Sequence, residues 1–397
     1  MNPVRQIIEE EIREHGPIPF SRYMELCLYD PEHGYYSRHA EQFGKAGDFY
    51  TSSDVHAVFG RLLARQFEEM WRVLGSRARI ELIELGPGRG LFAQDVLDWA
   101  AKKFPDFFCA LTYVLVESSP ALRERIAINL RTHIESGKAQ LLDSRVAQRF
   151  SAANEPPVNK KALATEVPRI IFANEFFDAL PVEIVSSQGS LRIALNDARF
   201  LETWAPSSPE ELEFLDRFSV HPEPGERLEV PLVAQHKMQQ IAVSINRGFI
   251  ITIDYGYTRA EQLAGRHRGT LKAIRQHSVS ANPYEAPGDQ DLTADVNFTA
   301  LTSAAEGKSL SAHNLVTQSQ FLMGIGEANQ FADAFEDCRV PQERAKVALQ
   351  LKHLVTPAGM GESFHVLVAS KALDGDRVSA LSGLSFGKKS ANPVWRS

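Results

Sequence analysis

The stretch R-I-E-L-I-E-L-G-P-G-R-G-L-F-A-Q-D-V-L, residues 79–97, decides the fold of this chain. Its first half is a short, partly β-branched apolar run that ends at Gly86, and such a run predicts a buried parallel strand. The second half has apolar residues at helical spacing: Leu91, Phe92, Val96 and Leu97. Glycines let the backbone turn tightly, and a helix start offers unpaired N–H groups. This order of strand, glycine turn and helix is typical of the opening of a nucleotide-binding α/β unit.

Glycine spacing and one acidic residue indicate which ligand this turn suits. A dinucleotide-binding motif requires a small residue where the chain has Leu91, and the third glycine is instead Gly90. Glu84, just before the turn, would repel a pyrophosphate and attract a cationic amino-acid ligand. The E-x-G-x-G-x-G pattern resembles the first motif of class I S-adenosylmethionine (SAM) methyltransferases. A glycine turn that binds nothing is the alternative at this point.

A second apolar strand is predicted within residues 111–120, and it ends in Glu117. Glu117 follows Gly90 by 27 residues, somewhat more than the spacing of about 20 expected for a ribose-binding acid. The segment 102–108 can accommodate the extra length. Such an acid can accept hydrogen bonds from both ribose hydroxyls, or it can simply favour the start of the next helix. Together with the glycine turn, it favours the ribose interpretation.

A third acidic group follows the apolar strand predicted at Ile170 to Phe172. Asn174, Glu175 and Asp178 come where this strand ends, and ligands bind at that edge of an open α/β sheet. The alternative is local, with Asn174 as a helix cap and the acids at the positive end of that helix. Both interpretations remain open from the residue types alone.

The segment G-D-F-Y-T-S-S-D, residues 47–54, precedes a helix predicted from Val55 to Trp71. Thr51 and Ser52 could belong to a lid whose hydroxyls reach the carboxylate of a bound ligand. Residue type alone favours the simpler interpretation, in which these hydroxyls cap the helix.

Composition limits the classes of protein to which the chain can belong. The 397 residues are 44% hydrophobic, enough for a large core, and the net charge of −7 with no basic block argues against a nucleic-acid binder. The three cysteines are far apart and the histidines are scattered, so neither disulfides nor a metal site is predicted. No apolar run has the length of a membrane span, and the acidic, helical N-terminus resembles no targeting sequence. We therefore expect a cytoplasmic protein without membrane insertion.

Several motifs in this order resemble the MidA family, which is related to the mitochondrial complex I assembly methyltransferases. The resemblance covers residues 18–371 and includes D-P-E-H-G-Y-Y, G-D-F-Y-T-S, E-L-G-P-G-R-G, N-E-F-F-D-A-L-P, I-D-Y-G and D-L-T-A-D-V-N-F. It implies a class I methyltransferase fold that binds SAM. In the mitochondrial branch it also implies methylation of an arginine on a complex I subunit. Ile274 and Asn297 depart from the commonest pattern, at positions that concern the substrate more than SAM.

The predicted architecture is an α/β chain with a Rossmann-like class I SAM-methyltransferase sheet, an N-terminal helical cap and an inserted substrate lobe. The predicted segments are a cap and lid (1–75), a SAM-binding core (76–183), an inserted hairpin and helix lobe (184–247), the rest of the core with an irregular substrate loop at 257–297 (248–371) and a loose tail (372–397).

The resemblance and the residue chemistry together assign roles to the singled-out residues. The predicted SAM-binding residues are Glu84, Gly86, Gly88 and Gly90 around the cofactor, Glu117 on the ribose, and Thr51 and Ser52 over the methionine end. The predicted catalytic residues are Asn174, Glu175 and Asp178, with the two acids orienting a guanidinium for in-line attack on the methyl group. The expected partner is a protein, by resemblance a complex I subunit.

Two other functions compete with this prediction. The first is a non-catalytic assembly factor that binds SAM only as a structural ligand. The second is an NAD-dependent oxidoreductase, which Leu91 and Glu84 disfavour.

Overall fold

The computed structural model describes residues 2–38, 57–143, 167–197, 199–275, 278–280 and 282–386. Thr51 and Ser52, with the rest of the predicted lid, lie outside the described residues. The helices in the described part are α1 (Pro3–His15), α2 (Phe20–Tyr29), α3 (Tyr35–Arg38), α4 (Ala57–Val73), α5 (Leu91–Lys103), α6 (Pro105–Ala110), α7 (Pro120–Asn129), α8 (Arg131–Glu135), α9 (Pro209–Phe218), α10 (Leu232–Ser244), α11 (Arg259–Leu263), α12 (Phe298–Glu306), α13 (Gln318–Glu327), α14 (Ala332–Phe335), α15 (Pro341–Val355) and α16 (Gly375–Ser379), followed by a 3₁₀ turn (Ser382–Leu384). None of these helices is long and apolar enough to cross a membrane.

Strands of the described part form one large sheet and two smaller ones. They are β1 (Ile18–Pro19), β2 (Ile80–Leu85), β3 (Leu111–Glu117), β4 (Ala139–Asp143), β5 (Arg169–Asn174), β6 (Glu183–Ser186), β7 (Gly189–Asn196), β8 (Arg199–Ala205), β9 (Arg227–Val230), β10 (Gly248–Tyr257), β11 (Lys272–Arg275), β12 (Ser278–Ser280), β13 (Asp291–Thr293), β14 (Val296–Asn297), β15 (Ser311–Ala312), β16 (Val316–Thr317) and β17 (Phe364–Lys371).

The large sheet has the strand order β15-β17-β10-β5-β2-β3-β4. Strands β10, β5, β2, β3 and β4 run parallel, and β17 is antiparallel to β10. The chain proceeds from β2 through β3 to β4 on one side and then continues with β5 and β10 on the other. The strand order therefore reverses between β2 and β5, and such a switch point opens a crevice at the carboxyl ends of the strands.

A continuous aromatic core fixes the glycine turn against this sheet. Phe92 of α5 stacks on Phe172 of β5, with ring centroids 4.7 Å apart, and Phe67 of α4 meets Phe172 edge-on. All three rings are almost completely buried. Because α5 begins directly after the glycines, this packing holds the turn in place.

Residues 2–38 pack on the inserted lobe, whereas α4 packs in the core of the large sheet. Strand β1 pairs antiparallel with β7, placing Ile18 opposite Ile193, in the sheet β1-β7-β6-β9. The apolar stripe of α1, including Val4 and Ile8, lies in one hydrophobic cluster with Ile193. A single sheet cannot bury its apolar face alone, and the N-terminal helices supply the missing layer.

The segment 257–297 is more ordered than the irregular loop predicted for it. It contains α11 and a small sheet with the order β12-β11-β13, and β13 is buried at all three positions. Tyr23 of α2 donates a hydrogen bond to the Pro283 carbonyl oxygen at 2.8 Å. Strands of three or four residues are too short to show a periodic pattern, and packing against the N-terminal helices gives them their order.

The chain after Leu373 also differs from the predicted loose tail, as far as Phe386. Helix α16 and the 3₁₀ turn pack against α4 and α13, and Val378 and Leu381 are buried. The Gly383 N–H donates to Gln66 Oε1 at 2.9 Å. The contacts with α4 join residues more than 300 positions apart, so a local pattern does not reveal them.

Candidate functional site

The glycine turn lies at the carboxyl end of β2, beside the switch point. Gly86, Gly88 and Gly90 have φ values of 66°, 54° and 76°, a left-handed conformation that other residues rarely adopt. A Cβ at Gly86 would lie 3.1 Å from Phe176 Cδ2, whereas a Cβ at Gly88 would have no heavy atom of the described residues within 4 Å. The backbone at Gly88 therefore borders open space that a ligand can enter.

Glu84 is buried next to this turn. Its Oε2 accepts a hydrogen bond from the Tyr113 hydroxyl at 2.8 Å. Burial, with a smaller contribution from the nearby charge of Glu117, raises the pKa of Glu84 to about 8. Among the described residues, Glu84 has no ion-pair partner. A cationic or hydrogen-bonding ligand would relieve the cost of this buried acid.

Glu117 ends β3, the strand next to β2, and is also buried. Its Oε1 accepts a hydrogen bond from the Ser119 N–H at 2.8 Å, and burial raises its pKa to about 7. The Ser119 hydroxyl donates to the Tyr36 carbonyl oxygen at 2.8 Å. Helix α3 of the N-terminal segment is therefore attached directly beside Glu117.

The chain leaves β5 in a strained turn. Glu175 has φ of 50°, and its N–H donates to the Ile253 carbonyl oxygen at 2.9 Å. Asn174 Nδ2 donates to Glu175 Oε1 at 3.2 Å. No helix follows Asn174 before β6, so the alternative of a helix cap is wrong. A non-glycine residue in this conformation costs about 1–3 kcal/mol, and such strain is concentrated at functional sites.

Asp178 is buried where this turn meets β13. Thr293 Oγ1 donates to Asp178 Oδ2 at 3.1 Å and is also hydrogen-bonded to the Tyr255 hydroxyl. Oδ1 of Asp178 is buried without a hydrogen-bond partner in the described part of the chain. Burial raises the pKa of Asp178.

The structure adds residues that sequence reasoning missed as site residues. Asp254 ends the parallel part of β10, is fully buried and accepts hydrogen bonds from the turn after β5. From the N-terminal helices, the Tyr29 hydroxyl donates to the Ala179 carbonyl oxygen at 2.9 Å, and the Tyr36 hydroxyl donates to Asp291 Oδ1 at 3.0 Å. Of these residues, Asp254 alone had a clear signal in the sequence, because it is an acid at the end of an apolar strand.

The predicted cofactor acid and the predicted catalytic acid face the same tyrosine. The charges of Asp178, Asp291 and Glu117 all contribute to raising the pKa of Tyr29, after burial as the main cause. The glycine turn, Glu117 and the turn after β5 lie at the carboxyl ends of neighbouring parallel strands, and α2 and α3 contact the chain beside Asp178 and Glu117. The buried carboxylates of this region suit a ligand with positive charge and hydroxyl donors.

A family model supplies the decisive comparison. Residues 62–316 match the model described as S-adenosyl-L-methionine-dependent methyltransferase. The chain belongs to this family. The predicted SAM cofactor is thereby confirmed, and the NAD-dependent alternative is wrong.

Curated relatives extend over nearly the whole chain. It is 30% identical over 387 residues to the Drosophila melanogaster protein named "Protein arginine methyltransferase NDUFAF7 homolog, mitochondrial", covering 91% of this chain and 83% of that protein. It is 28% identical over 402 residues to the Homo sapiens protein named "Protein arginine methyltransferase NDUFAF7, mitochondrial", covering 95% and 86%. Because these relatives are named as mitochondrial, the expectation of a cytoplasmic protein is contradicted.

Solved structures agree with the fold. A crystal structure from Burkholderia thailandensis bound to S-adenosyl-homocysteine has a TM-score of 0.77 and 26% sequence identity, covering 96% of this chain and 94% of that chain. A native crystal structure from the same organism has a TM-score of 0.76. The predicted class I methyltransferase fold is confirmed.

Proposed function

We propose that this methyltransferase modifies an arginine side chain of a protein, and that the protein is a complex I subunit, as the family resemblance implies. The observation that carries the first proposal is the buried acidic group after β5 and β10. Asp178 and Asp254 are buried side by side, and neither makes an ion pair with a described residue. A guanidinium would supply the missing positive charge. The names of the curated relatives support the same substrate class.

The residues around the glycine turn fit the cofactor. SAM, when bound, supplies a methyl group on a positively charged sulfur. Gly88 allows close approach of a ligand to the backbone, and Glu117 can accept hydrogen bonds from two ribose hydroxyls. Glu84 adds negative charge beside the turn once it is ionised. Thr51 and Ser52 remain predicted contacts to the methionine end.

The residues after β5 fit the guanidinium. Asn174 holds Glu175 Oε1, and the strained turn fixes the direction in which the Glu175 side chain leaves the backbone. A carboxylate can bind a guanidinium through two parallel hydrogen bonds, which orients one nitrogen towards the reacting methyl group. The attacking nitrogen gives up a proton, and a buried acid with a raised pKa such as Asp178 is suited to receive it.

Glu175→Gln tests this assignment, because glutamine keeps the shape but removes the charge and one acceptor. SAM affinity should stay near wild type, while methyl transfer should fall about 10²-fold or more as the reactants lose alignment. The measurement is a calorimetric titration with SAM beside an assay with methyl-labelled SAM and a protein extract. Peptide mass spectrometry then locates the label.

Glu213→Gln is the matched control, since Glu213 is exposed on α9 and pairs only with Arg217 among the described residues. No label on any arginine with the wild-type protein would contradict the proposed reaction and favour the non-catalytic assembly factor. Label on arginine outside complex I subunits would contradict only the proposed partner. Full activity of Glu175→Gln would remove Glu175 from the catalytic residues.

A further inference from the structure

Asp254 connects β10 to the turn that bears Glu175. Its Oδ1 accepts a hydrogen bond from the Phe176 N–H at 3.1 Å, and its Oδ2 accepts a longer one from the Phe177 N–H at 3.4 Å. Glu175 itself is bonded to the preceding residue of β10, Ile253, through its own N–H. Three successive backbone N–H groups of the turn therefore donate hydrogen bonds to two successive residues of β10, and together these bonds form a clamp on the turn. Such a clamp can hold a non-glycine residue in a left-handed conformation.

A second contact of Asp254 is with another acid. The side chain of Asp254 lies beside Asp178, because it accepts from the N–H of Phe177, the residue before Asp178, and both acids are almost completely buried. Two carboxylates in contact cannot both be ionised at low cost without a cation, so they share a proton. Other titratable groups around them are Glu175, Tyr255 and His365, which lies opposite Asp254 on β17. His365 is kept neutral because burial lowers its pKa.

We propose that Asp254 is a positioning residue that works as a neutral carboxylic acid. Its carbonyl oxygen accepts from the Phe176 N–H, and its hydroxyl donates to Asp178. The proton then lies on Oδ2, the oxygen that accepts the longer bond from the Phe177 N–H. Asp254 thus sets the position of Glu175 through the backbone and holds Asp178 as the charged member of the pair. The role of this arrangement in catalysis rests on the proposed arginine methylation, whereas the hydrogen bonds of the clamp are independent of that function.

The expected effect of Asp254→Asn depends on whether Asp254 is neutral or ionised in the wild-type protein. The Asp254→Asn side chain keeps one acceptor for Phe176 and one N–H donor for Asp178, and it loses only the long bond from Phe177. Asp254→Ala loses the acceptor and the donor together. If Asp254 acted as an anion or a base, asparagine would be nearly as harmful as alanine.

The experiment compares wild type, Asp254→Asn, Asp254→Ala and the control Asp106→Asn, an exposed acid of α6. Amide hydrogen exchange is followed for the peptide that contains residues 175–178, and S-adenosyl-homocysteine is titrated into each protein. Methyl transfer is measured as kcat and KM. In Asp254→Ala we expect exchange at Phe176 and Phe177 to accelerate by about tenfold or more as the local hydrogen bonds are lost. Its kcat should fall about 10²-fold at an unchanged affinity for S-adenosyl-homocysteine.

Asp254→Asn should keep the slow exchange of Phe176 and a kcat within about tenfold of wild type, because its shape and principal hydrogen bonds are retained. Wild-type exchange in Asp254→Ala would overturn the clamp. An Asp254→Asn protein that loses as much activity as Asp254→Ala, or that fails to fold, would overturn the assignment of Asp254 as a neutral acid. The exchange measurement needs no turnover, so a wild-type protein that methylates no arginine would contradict the proposed function without deciding the role of Asp254.

Discussion

Replacing Glu84 by glutamine should flatten the pH dependence of stability in the ligand-free protein. Glu84 is buried, and burial raises its pKa from 4.5 to about 8. Glutamine has the same shape, can accept the hydrogen bond from the Tyr113 hydroxyl and stays neutral at every pH. The variant therefore removes the titration of one group and leaves its packing in place.

The sign follows from the proton count of the two states. An acid with a raised pKa in the folded state is protonated there while the unfolded chain is already ionised, so the unfolding free energy falls as pH rises. The loss begins above the unfolded value of 4.5 and continues to about 8. Between pH 6 and pH 8, the titration of Glu84 lowers the unfolding free energy of wild type by about 2 kcal/mol. The glutamine variant does not undergo this loss.

Urea unfolding of both proteins at pH 6, 7 and 8, followed by tryptophan fluorescence, measures the difference directly. Glu117 and the other buried acids titrate in both proteins, so the comparison isolates Glu84. From pH 6 to pH 8, we expect the unfolding free energy of the variant to rise by about 2 kcal/mol relative to that of wild type. Parallel pH profiles for the two proteins would show that Glu84 is solvated or paired in the free protein and would refute the argument.

Four further substitutions test other parts of the structure. Glu117→Ala should weaken SAM binding by about 2 kcal/mol, since charge-assisted hydrogen bonds to the ribose are lost, and an unchanged calorimetric affinity would move the ribose contact elsewhere. Gly88→Ala should weaken SAM binding, because its Cβ enters the open space. Gly86→Ala should mainly lower the melting temperature, because its Cβ contacts Phe176. Equal changes of SAM affinity and melting temperature in the two variants would contradict this distinction. Leu381→Ala should cost about 2–4 kcal/mol of unfolding free energy, as expected for a buried leucine, and a change below about 0.5 kcal/mol would indicate a loose tail.

Local patterns in the sequence were sufficient to predict the strand, glycine turn and helix at the candidate site. The run from Ile80 to Leu97 predicts a strand, a tight glycine turn and a helix, and each of these depends on near neighbours only. Glu117 and Asn174 could be placed at one sheet edge because parallel strands bring their carboxyl ends together. Family motifs then identified SAM as the ligand.

Tertiary contacts decided which further residues lie beside the predicted catalytic residues. Asp254 reaches the Phe176 N–H across 78 positions of sequence, and Tyr36 reaches Asp291 across 255. Neither pairing has a local signature, because it depends on how β10, the N-terminal helices and β13 pack together. The buried state of Glu84, Asp178 and their neighbours has the same origin. A sequence shows that a residue is acidic, but only the packed structure removes water from it and thereby sets its charge.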